Sequence, residues 1–225
     1  MTYQPIENYG IIGDLHTVAL VGMDGSIDWL CFPHFDSPSV FAAILDHGKG
    51  GRFRIAPVAG NSKHKQFYWP DTNVLVTRFL SADGVGEITD YMTVTGSGEG
   101  GGHHPHQLYR IVRAIRGEMT FRAECRPAFN YGRDEHSVTI SPDGACFHSP
   151  GLSLGLAAGV PLVREDGGVV ATFSLRVGDA AVFLLEEIVA GVGCGVCLPE
   201  PKAGEVFVET VKYSGVRSPT TSGPT

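Results

Sequence analysis

The stretch "EMTFRAEC", from Glu118 to Cys125, alternates strictly between polar and apolar side chains. Its apolar members are Met119, Phe121, Ala123 and Cys125. An alternation of period two places these side chains on one face of an extended chain and the polar ones on the other. The stretch therefore predicts a half-buried strand of an antiparallel sheet.

Similar patterns occur on both sides of this stretch. "GRFRIAP" (51–57) and "VVATFSLR" (169–176) alternate in the same way, whereas "NVLVTRFL" (73–80) and "AAVFLLEEIVAG" (180–191) are apolar on both faces and predict buried strands. The 30 glycines and 14 prolines, with Asp-Gly pairs between the strands, indicate many tight turns. We expect an all-β chain of about ten or more strands.

One short helix is predicted to begin inside the stretch "DGSIDWLCFPHFDSPSVF" (24–41) and to run up to Gly48. Ser37 is a good N-cap residue, and Pro38 suits the first helical position. The apolar residues that follow have helical spacing: Phe41, Ile44 and Leu45.

Composition excludes several classes of partner. The net charge is −7, and the basic residues are scattered, so neither nucleic acid nor an anionic membrane is an expected partner. The chain has no apolar run of about 18 residues and no basic-apolar leader, which predicts a cytoplasmic protein. Five irregularly spaced cysteines are typical of reduced thiols.

Two sets of residues invite a metal interpretation. His103, His104 and His106 lie close together in a glycine-rich segment, and Cys194 and Cys197 form a C-x-x-C pair. Imidazole and thiolate are transition-metal ligands, but flanking glycines supply no stiff frame for them. We predict no cofactor, and we keep the three histidines as weak metal candidates.

No complete catalytic set is visible in the sequence. Asp14, Asp24, Asp28 and Asp36 lie close together, yet Asp24 is explained by an Asp-Gly turn and Asp36 by its position before the predicted helix. The chain also has no G-x-S-x-G motif, P-loop or dinucleotide fingerprint. We assign no catalytic residue.

Aromatic side chains in loops suit sugar binding, because an aromatic face matches the apolar face of a pyranose. The candidates are Trp29, Trp69, Tyr131 and Arg133. The alternative is structural: Trp29 lies among apolar residues that predict core, and "FYWP" (67–70) has the character of the end of an edge strand.

Residues Ile6–Asp46, "IENYGIIGDLHTVALVGMDGSIDWLCFPHFDSPSVFAAILD", resemble the beginning of bacterial and archaeal proteins of glycoside hydrolase family 15, the glucoamylase and trehalase-like enzymes. The resemblance continues in "PDTNVLVTRF" (70–79), "GEITDYM" (86–92), "LYRIVRAIRGEMTF" (108–121) and "CRPAFNYGR" (125–133), and in "EVFVETVKY" (205–213). Two positions depart from it: His34 stands where many relatives have arginine, and Asn130 where aspartate is common.

The resemblance implies a two-sheet antiparallel (super) β-sandwich with one or two short helices. In the family this domain packs on an (α/α)₆ barrel that carries the two catalytic glutamates. We expect the sandwich at 1–204, the start of a linker helix at 205–213, and a disordered or non-native tail at 214–225. With the barrel missing, no activity is expected from this chain alone.

The exposed residues His34, Phe35 and Asp36 are expected to meet the barrel near its substrate pocket, because polar and aromatic groups on a constrained loop suit interfaces. A chain that lacks this partner is expected to expose an apolar patch, so a homodimer is possible. The alternative function is a stand-alone module that binds α-glucans or another carbohydrate.

Overall fold

A computed structural model describes residues 3–60, 62–94, 106–188 and 204–211. Within these residues fifteen antiparallel strands form two sheets that share one long strand. The first sheet contains β1 (Tyr9–Gly13), β2 (Val18–Gly22), β3 (Ser26–Cys31), β4 (Ser39–Phe41), β5 (Arg52–Pro57), β13 (Val163–Glu165) and β14 (Gly168–Arg176). The second contains β6 (Lys63–Tyr68), β7 (Leu75–Leu80), β8 (Gly84–Met92), β10 (Ser137–Ser141), β11 (Gly144–His148), β12 (Ser153–Ala158) and β15 (Ala180–Glu187).

The shared strand is β9 (Gln107–Arg126), whose second half is the alternating stretch that predicts the fold. Residues 107–117 pair with β8 and β15, and residues 118–126 pair with β14 and β5. Gly117 lies between the two halves with φ 71°, and a Cβ there would stand 2.1 Å from the Asp83 carbonyl oxygen. Only glycine therefore suits the point where the strand passes from one sheet to the other.

Apolar side chains from both sheets meet in one core, which confirms the expected all-β sandwich. Phe53 of the first sheet packs edge-on against Phe183 of the second at 6.1 Å between ring centroids. Phe79 of the second sheet contacts Phe121 at 6.5 Å. Side chains that interdigitate between two layers in this way form the core of a sandwich, and aromatic pairs add to its stability.

One ion pair lies inside this core. Arg110 and Asp90 are both fully buried, and the guanidinium donates to the carboxylate through Nε at 2.8 Å and Nη2 at 3.2 Å. The same guanidinium donates to the carbonyl oxygens of Phe53 at 2.6 Å and Gly25 at 2.8 Å. Arg110 thus links the second sheet to two parts of the first sheet, β5 through Phe53 and the turn before β3 through Gly25.

The predicted helix at Ser37 is wrong. The Ser37 hydroxyl accepts a hydrogen bond from the His34 N–H at 3.1 Å, and the next residues form β4, which pairs with β3. In the described residues the helical segments are a 3₁₀ turn at Ile6–Asn8, α1 (Phe129–Gly132), whose two middle residues have left-handed dihedrals, and a segment that we call α2 (204–211). Val206, Phe207 and Val211 of α2 pack against a second apolar cluster that contains Tyr91 and Tyr109.

The thiols follow the sequence expectation only in part. Cys31 and Cys125 are free and buried, whereas Cys146 is disulfide-bonded, so the expectation of reduced thiols throughout is wrong. Cys194, Cys197 and the tail at 214–225 lie outside the described residues. No helix in the described part of the chain is long and apolar enough to cross a membrane.

Candidate functional site

The loop between β3 and β4, residues 32–38, is the centre of the candidate site, and we call it the tip loop. Phe32 anchors it in the core at 1% exposure. The hydrogen bond from His34 to Ser37 turns it, and the Phe35 N–H donates to the His16 carbonyl oxygen at 2.8 Å. These contacts hold the predicted interface residues His34, Phe35 and Asp36 in exposed positions.

One side of the tip loop faces a group that we call the histidine corner: Asp14, His16, His34 and His106. The His106 ring centroid lies 5.2 Å from that of His16 and 5.1 Å from that of His34. The centroids of His16 and His34 are 6.1 Å apart. Asp14, His16 and His106 each offer a ligand atom within 4.8 Å of the others, so these three residues have the composition and spacing of a metal centre, and His34 adds a third imidazole beside them.

Asp14 organises this corner. Its Oδ1 accepts the backbone N–H groups of His16 at 2.9 Å and Thr17 at 2.8 Å, and its Oδ2 accepts from His106 Nδ1 at 2.5 Å. Leu15, between the two ligand-type residues, has a left-handed φ of 75°. Backbone strain of this kind persists where the surrounding contacts over-determine it, and it is concentrated at functional sites.

On its other side, the tip loop lines a cavity of about 370 Å³, which we call the tip cavity. Its wall combines aromatic and polar side chains: Phe32, Ser39, Phe129, Asp134, Ser149 and Glu187. The buried hydroxyl oxygens of Ser39 and Ser149 have no hydrogen-bond partner within the protein. A buried polar atom without a partner is costly, so these two hydroxyls are suited to bind a polar ligand.

The backbone beside the tip cavity is strained. Asn130 and Tyr131 have left-handed φ values of 51° and 60°, which is common for asparagine and rare for tyrosine. The Asn130 side chain donates to Asp134 at 3.1 Å, which fixes the turn. Tyr131 is exposed at the surface.

Three of the four predicted sugar-stacking residues come together here. The Trp29 and Tyr131 rings lie 6.4 Å apart, and the Arg133 guanidinium stands 5.7 Å from the Tyr131 ring centroid. Trp69 lies elsewhere, 5.7 Å edge-on from Phe207 of α2. The structure therefore groups Trp29, Tyr131 and Arg133 and separates Trp69 from them.

The acids close together in sequence have mainly structural contacts. Burial disfavours ionisation of Asp24, but hydrogen bonds from Ser26 and the charge of Arg54, 3.1 Å away, outweigh it, so the pKa of Asp24 is lowered. Asp28 accepts from Tyr9 at 2.7 Å and from Ser26 at 3.0 Å. Burial, together with Asp28, raises the pKa of Tyr9.

Of the histidines flagged as weak metal candidates, His103 and His104 lie outside the described residues. His106 is buried and belongs to the histidine corner. Sequence reasoning missed His16 as a ligand-type residue, because nothing in its neighbourhood "GDLHT" (13–17) carries a metal-binding spacing. The fold alone brings it to His34 and His106.

Residues 2–161 match the family described as "Trehalase-like, N-terminal". The chain is 35% identical over 166 residues to a trehalase of Thermoplasma volcanium, a match that covers 73% of this chain and 26% of that protein. It is 40% identical over 141 residues to trehalase 1 of Sulfolobus acidocaldarius, covering 63% of this chain and 23% of the relative. A trehalase of Mycolicibacterium smegmatis is 32% identical over 149 residues, 58% of this chain and 21% of its own length. The chain thus spans about a quarter of these relatives.

Proposed function

This chain belongs to the family of trehalase-like N-terminal domains, and from that premise we propose that it is the non-catalytic β-sandwich of a glycoside hydrolase of the trehalase or glucoamylase type, family 15. Its role is to support a helical (α/α)₆ catalytic domain. The match to about a quarter of the trehalase relatives is the observation that carries this proposal. The domain limits, with a linker that begins in α2, belong to the same proposal.

We propose that the tip loop is the surface that faces the catalytic domain. Phe35 is 57% exposed and Leu15 is 64% exposed, and the hydrogen bond between Phe35 and His16 holds their two loops together. Exposed apolar side chains on constrained loops with polar neighbours are typical of interface centres. Asp36 and His34 supply the polar neighbours.

Two measurements test the supporting role. The purified chain alone is expected to release no glucose from trehalose or maltose, and a turnover that resists further purification would overturn the proposal. A chimaera in which this chain replaces the matching segment of the Thermoplasma volcanium trehalase is expected to hydrolyse trehalose. If this chimaera folds but its two domains do not pack against each other, the supporting role is wrong.

The tip loop is tested in that chimaera by Phe35→Ser. Truncation of an interface anchor costs more than about 1 kcal/mol, so we expect at least a fivefold loss of activity or a lower melting temperature. The matched control is Val163→Ser, since Val163 is 63% exposed on β13, at the far edge of the first sheet. Equal effects of the two substitutions would remove the tip loop from the interface.

The tip cavity favours a second candidate function, the binding of a small carbohydrate. Two unpaired hydroxyls, two carboxylates and adjacent aromatic rings offer hydrogen bonds and an apolar face, which together suit a sugar. Calorimetry with trehalose, maltose and glucose at millimolar concentration tests it, with Tyr131→Ala and Asp134→Ala expected to abolish any heat. Tyr68→Ala is the control, because Tyr68 and Tyr131 are both 44% exposed.

The remaining expectations stay predictions. A cytoplasmic location is measured by fractionation of the cells that produce the parent protein. A homodimer is measured by light scattering of the purified chain, and addition of the catalytic part is expected to displace it, because both would cover the same exposed apolar residues.

A further inference from the structure

We propose that the histidine corner binds one late first-row divalent transition-metal ion, with zinc as the physiological candidate, through the imidazoles of His16, His34 and His106. This inference is independent of the supporting role and of sugar binding. It rests on ring positions, on the hydrogen bonds that set the histidine tautomers, and on the donor types.

The ring spacing fits a common ion. With zinc–nitrogen bonds of about 2.0–2.1 Å, three imidazoles in a tetrahedral arrangement have ring centroids about 5 Å apart. His106 lies at 5.1 Å from His34 and 5.2 Å from His16. The remaining pair, His16 and His34, is at 6.1 Å, so binding of the ion through all three rings requires the exposed His34 side chain to move by about 1 Å towards His16.

The tautomers of His106 and His16 leave the Nε2 atom of each ring available to bind a metal ion. A carboxylate accepts hydrogen bonds only, so the 2.5 Å contact between Asp14 Oδ2 and His106 Nδ1 places the proton on Nδ1. The His16 Nδ1 contacts the Asp14 carbonyl oxygen at 3.3 Å, which assigns its proton in the same way. Both rings therefore keep the Nε2 lone pair for a metal, and donation of the other ring N–H to a carboxylate or carbonyl is the usual arrangement of a metal-bound histidine.

The short contact also decides the role of Asp14. Two ligands of one tetrahedral zinc ion stand about 3.3 Å apart, which exceeds the 2.5 Å between Asp14 Oδ2 and His106 Nδ1. Asp14 therefore orients the ligands instead of binding through that pair of atoms. Its two backbone hydrogen bonds, to His16 and Thr17, fix it in a buried position.

The donor set selects the class of ion. Neutral imidazole nitrogens suit zinc, copper, nickel and cobalt, whereas magnesium and calcium prefer sets of oxygen ligands. Three protein ligands leave a fourth position for water, since His16 and His34 face solvent. A bound ion would join the loop after β1, the tip loop and the start of β9, and it would hold the tip loop in place.

The test uses the full 225-residue chain, purified without a polyhistidine tag and treated with chelator. Titration with Zn²⁺ by calorimetry is expected to show one ion per chain, and Co²⁺ is expected to give the visible absorption of a tetrahedral nitrogen site. His16→Ala is expected to weaken binding at least tenfold and to abolish the cobalt band. Asp14→Asn is expected to weaken binding about 10–100-fold, as loss of an orienting carboxylate does.

A matched control separates this site from the neighbouring histidines. The double substitution His103→Ala/His104→Ala is expected to leave both the affinity and the cobalt spectrum unchanged. The proposal is overturned if the wild-type chain binds no zinc at micromolar concentration, or if the double substitution abolishes binding while His16→Ala retains it. His16 is exposed, so a folding defect is not expected to obscure its variant, and the far-ultraviolet circular dichroism checks this.

Discussion

Replacement of Arg110 by alanine is expected to lower the free energy of unfolding by about 3–5 kcal/mol. Arg110 and Asp90 are fully buried and lie opposite each other on β9 and β8, and the other donors of the Arg110 guanidinium link this pair to the first sheet. The variant would leave the Asp90 carboxylate in the core without its cation. It would also remove the donors to the carbonyl oxygens of Phe53 and Gly25 and the guanidinium that lies 4.8 Å above the Phe53 ring.

The largest part of this loss in the free energy of unfolding comes from leaving the Asp90 charge buried without a partner. Burial raises the pKa of Asp90, and Arg110 opposes that effect through its charge and hydrogen bonds. Without Arg110 the ionised carboxyl is destabilising at neutral pH, and its protonation removes the charge. The destabilisation should therefore be largest at neutral pH and should shrink as the pH falls through the raised pKa of Asp90.

Urea unfolding followed by the fluorescence of Trp29 and Trp69 measures this effect. With an m-value near the upper end of about 1–3 kcal/mol per molar urea, the midpoint is expected to fall by about 1–2 M. The double variant Asp90→Leu/Arg110→Met should lose much less than the sum of the single substitutions, because it removes both charges.

Arg176→Ala is the matched control for Arg110→Ala. Arg176 pairs with Glu118 at 2.9 Å at the surface, where an ion pair contributes little, so no measurable midpoint shift is expected. An Arg110→Ala midpoint that equals the control, or single substitutions at Arg110 and Asp90 whose effects simply add, would refute the reasoning.

Three further predictions concern pH, backbone strain and thiol reactivity. Because the pKa of Asp24 is lowered in the folded chain, its ionised carboxylate stabilises the fold above about pH 4, and this stabilisation is lost as the pH falls through the folded-state pKa. Asp24→Asn should therefore lower the melting temperature at pH 7 and leave it unchanged in acid. Gly117→Ala should cost more than about 1 kcal/mol in urea unfolding, and more than Gly178→Ala, since Gly178 has φ 96° but nothing within 4 Å of an added Cβ. Burial raises the thiol pKa of Cys31 and Cys125, so peptide mapping after iodoacetamide should find both unmodified until urea unfolds the chain, and their modification in the native state would contradict the buried placement.

The strands that sequence predicts well are those with one buried face. The second half of β9, residues 172–176 of β14, and β5 alternate between buried and more exposed side chains, because the two faces of each segment meet different surroundings. For β6 the sequence indicates only the end of an edge strand, at "FYWP" (67–70), because the rest of this mostly exposed strand is polar and has no apolar face. The helix predicted at Ser37 failed because local capping chemistry was outweighed by the pairing of β4 with β3.

The candidate site is less visible in the sequence for a geometric reason. His16, His34 and His106 come from three separate segments, and no spacing rule connects them. The sequence predicts His34 as an interface residue and His106 as part of a glycine-rich run, and neither prediction gives the reason that the fold supplies. Trp29, Tyr131 and Arg133 did come together, although Trp29 lies within β3 and the other two follow β9, so it is again the fold that joins them.

The tip loop links the three proposals physically. Phe32 anchors it between the histidine corner and the tip cavity, and its ring lies 6.0 Å from His106 and also lines the cavity. Movement of this loop would therefore change the spacing of His34 from His106 and the shape of the cavity together. A metal ion that fixes His34 would also fix Phe35, so zinc should strengthen the contact of the tip loop with a catalytic partner, because less loop entropy remains to be lost on association.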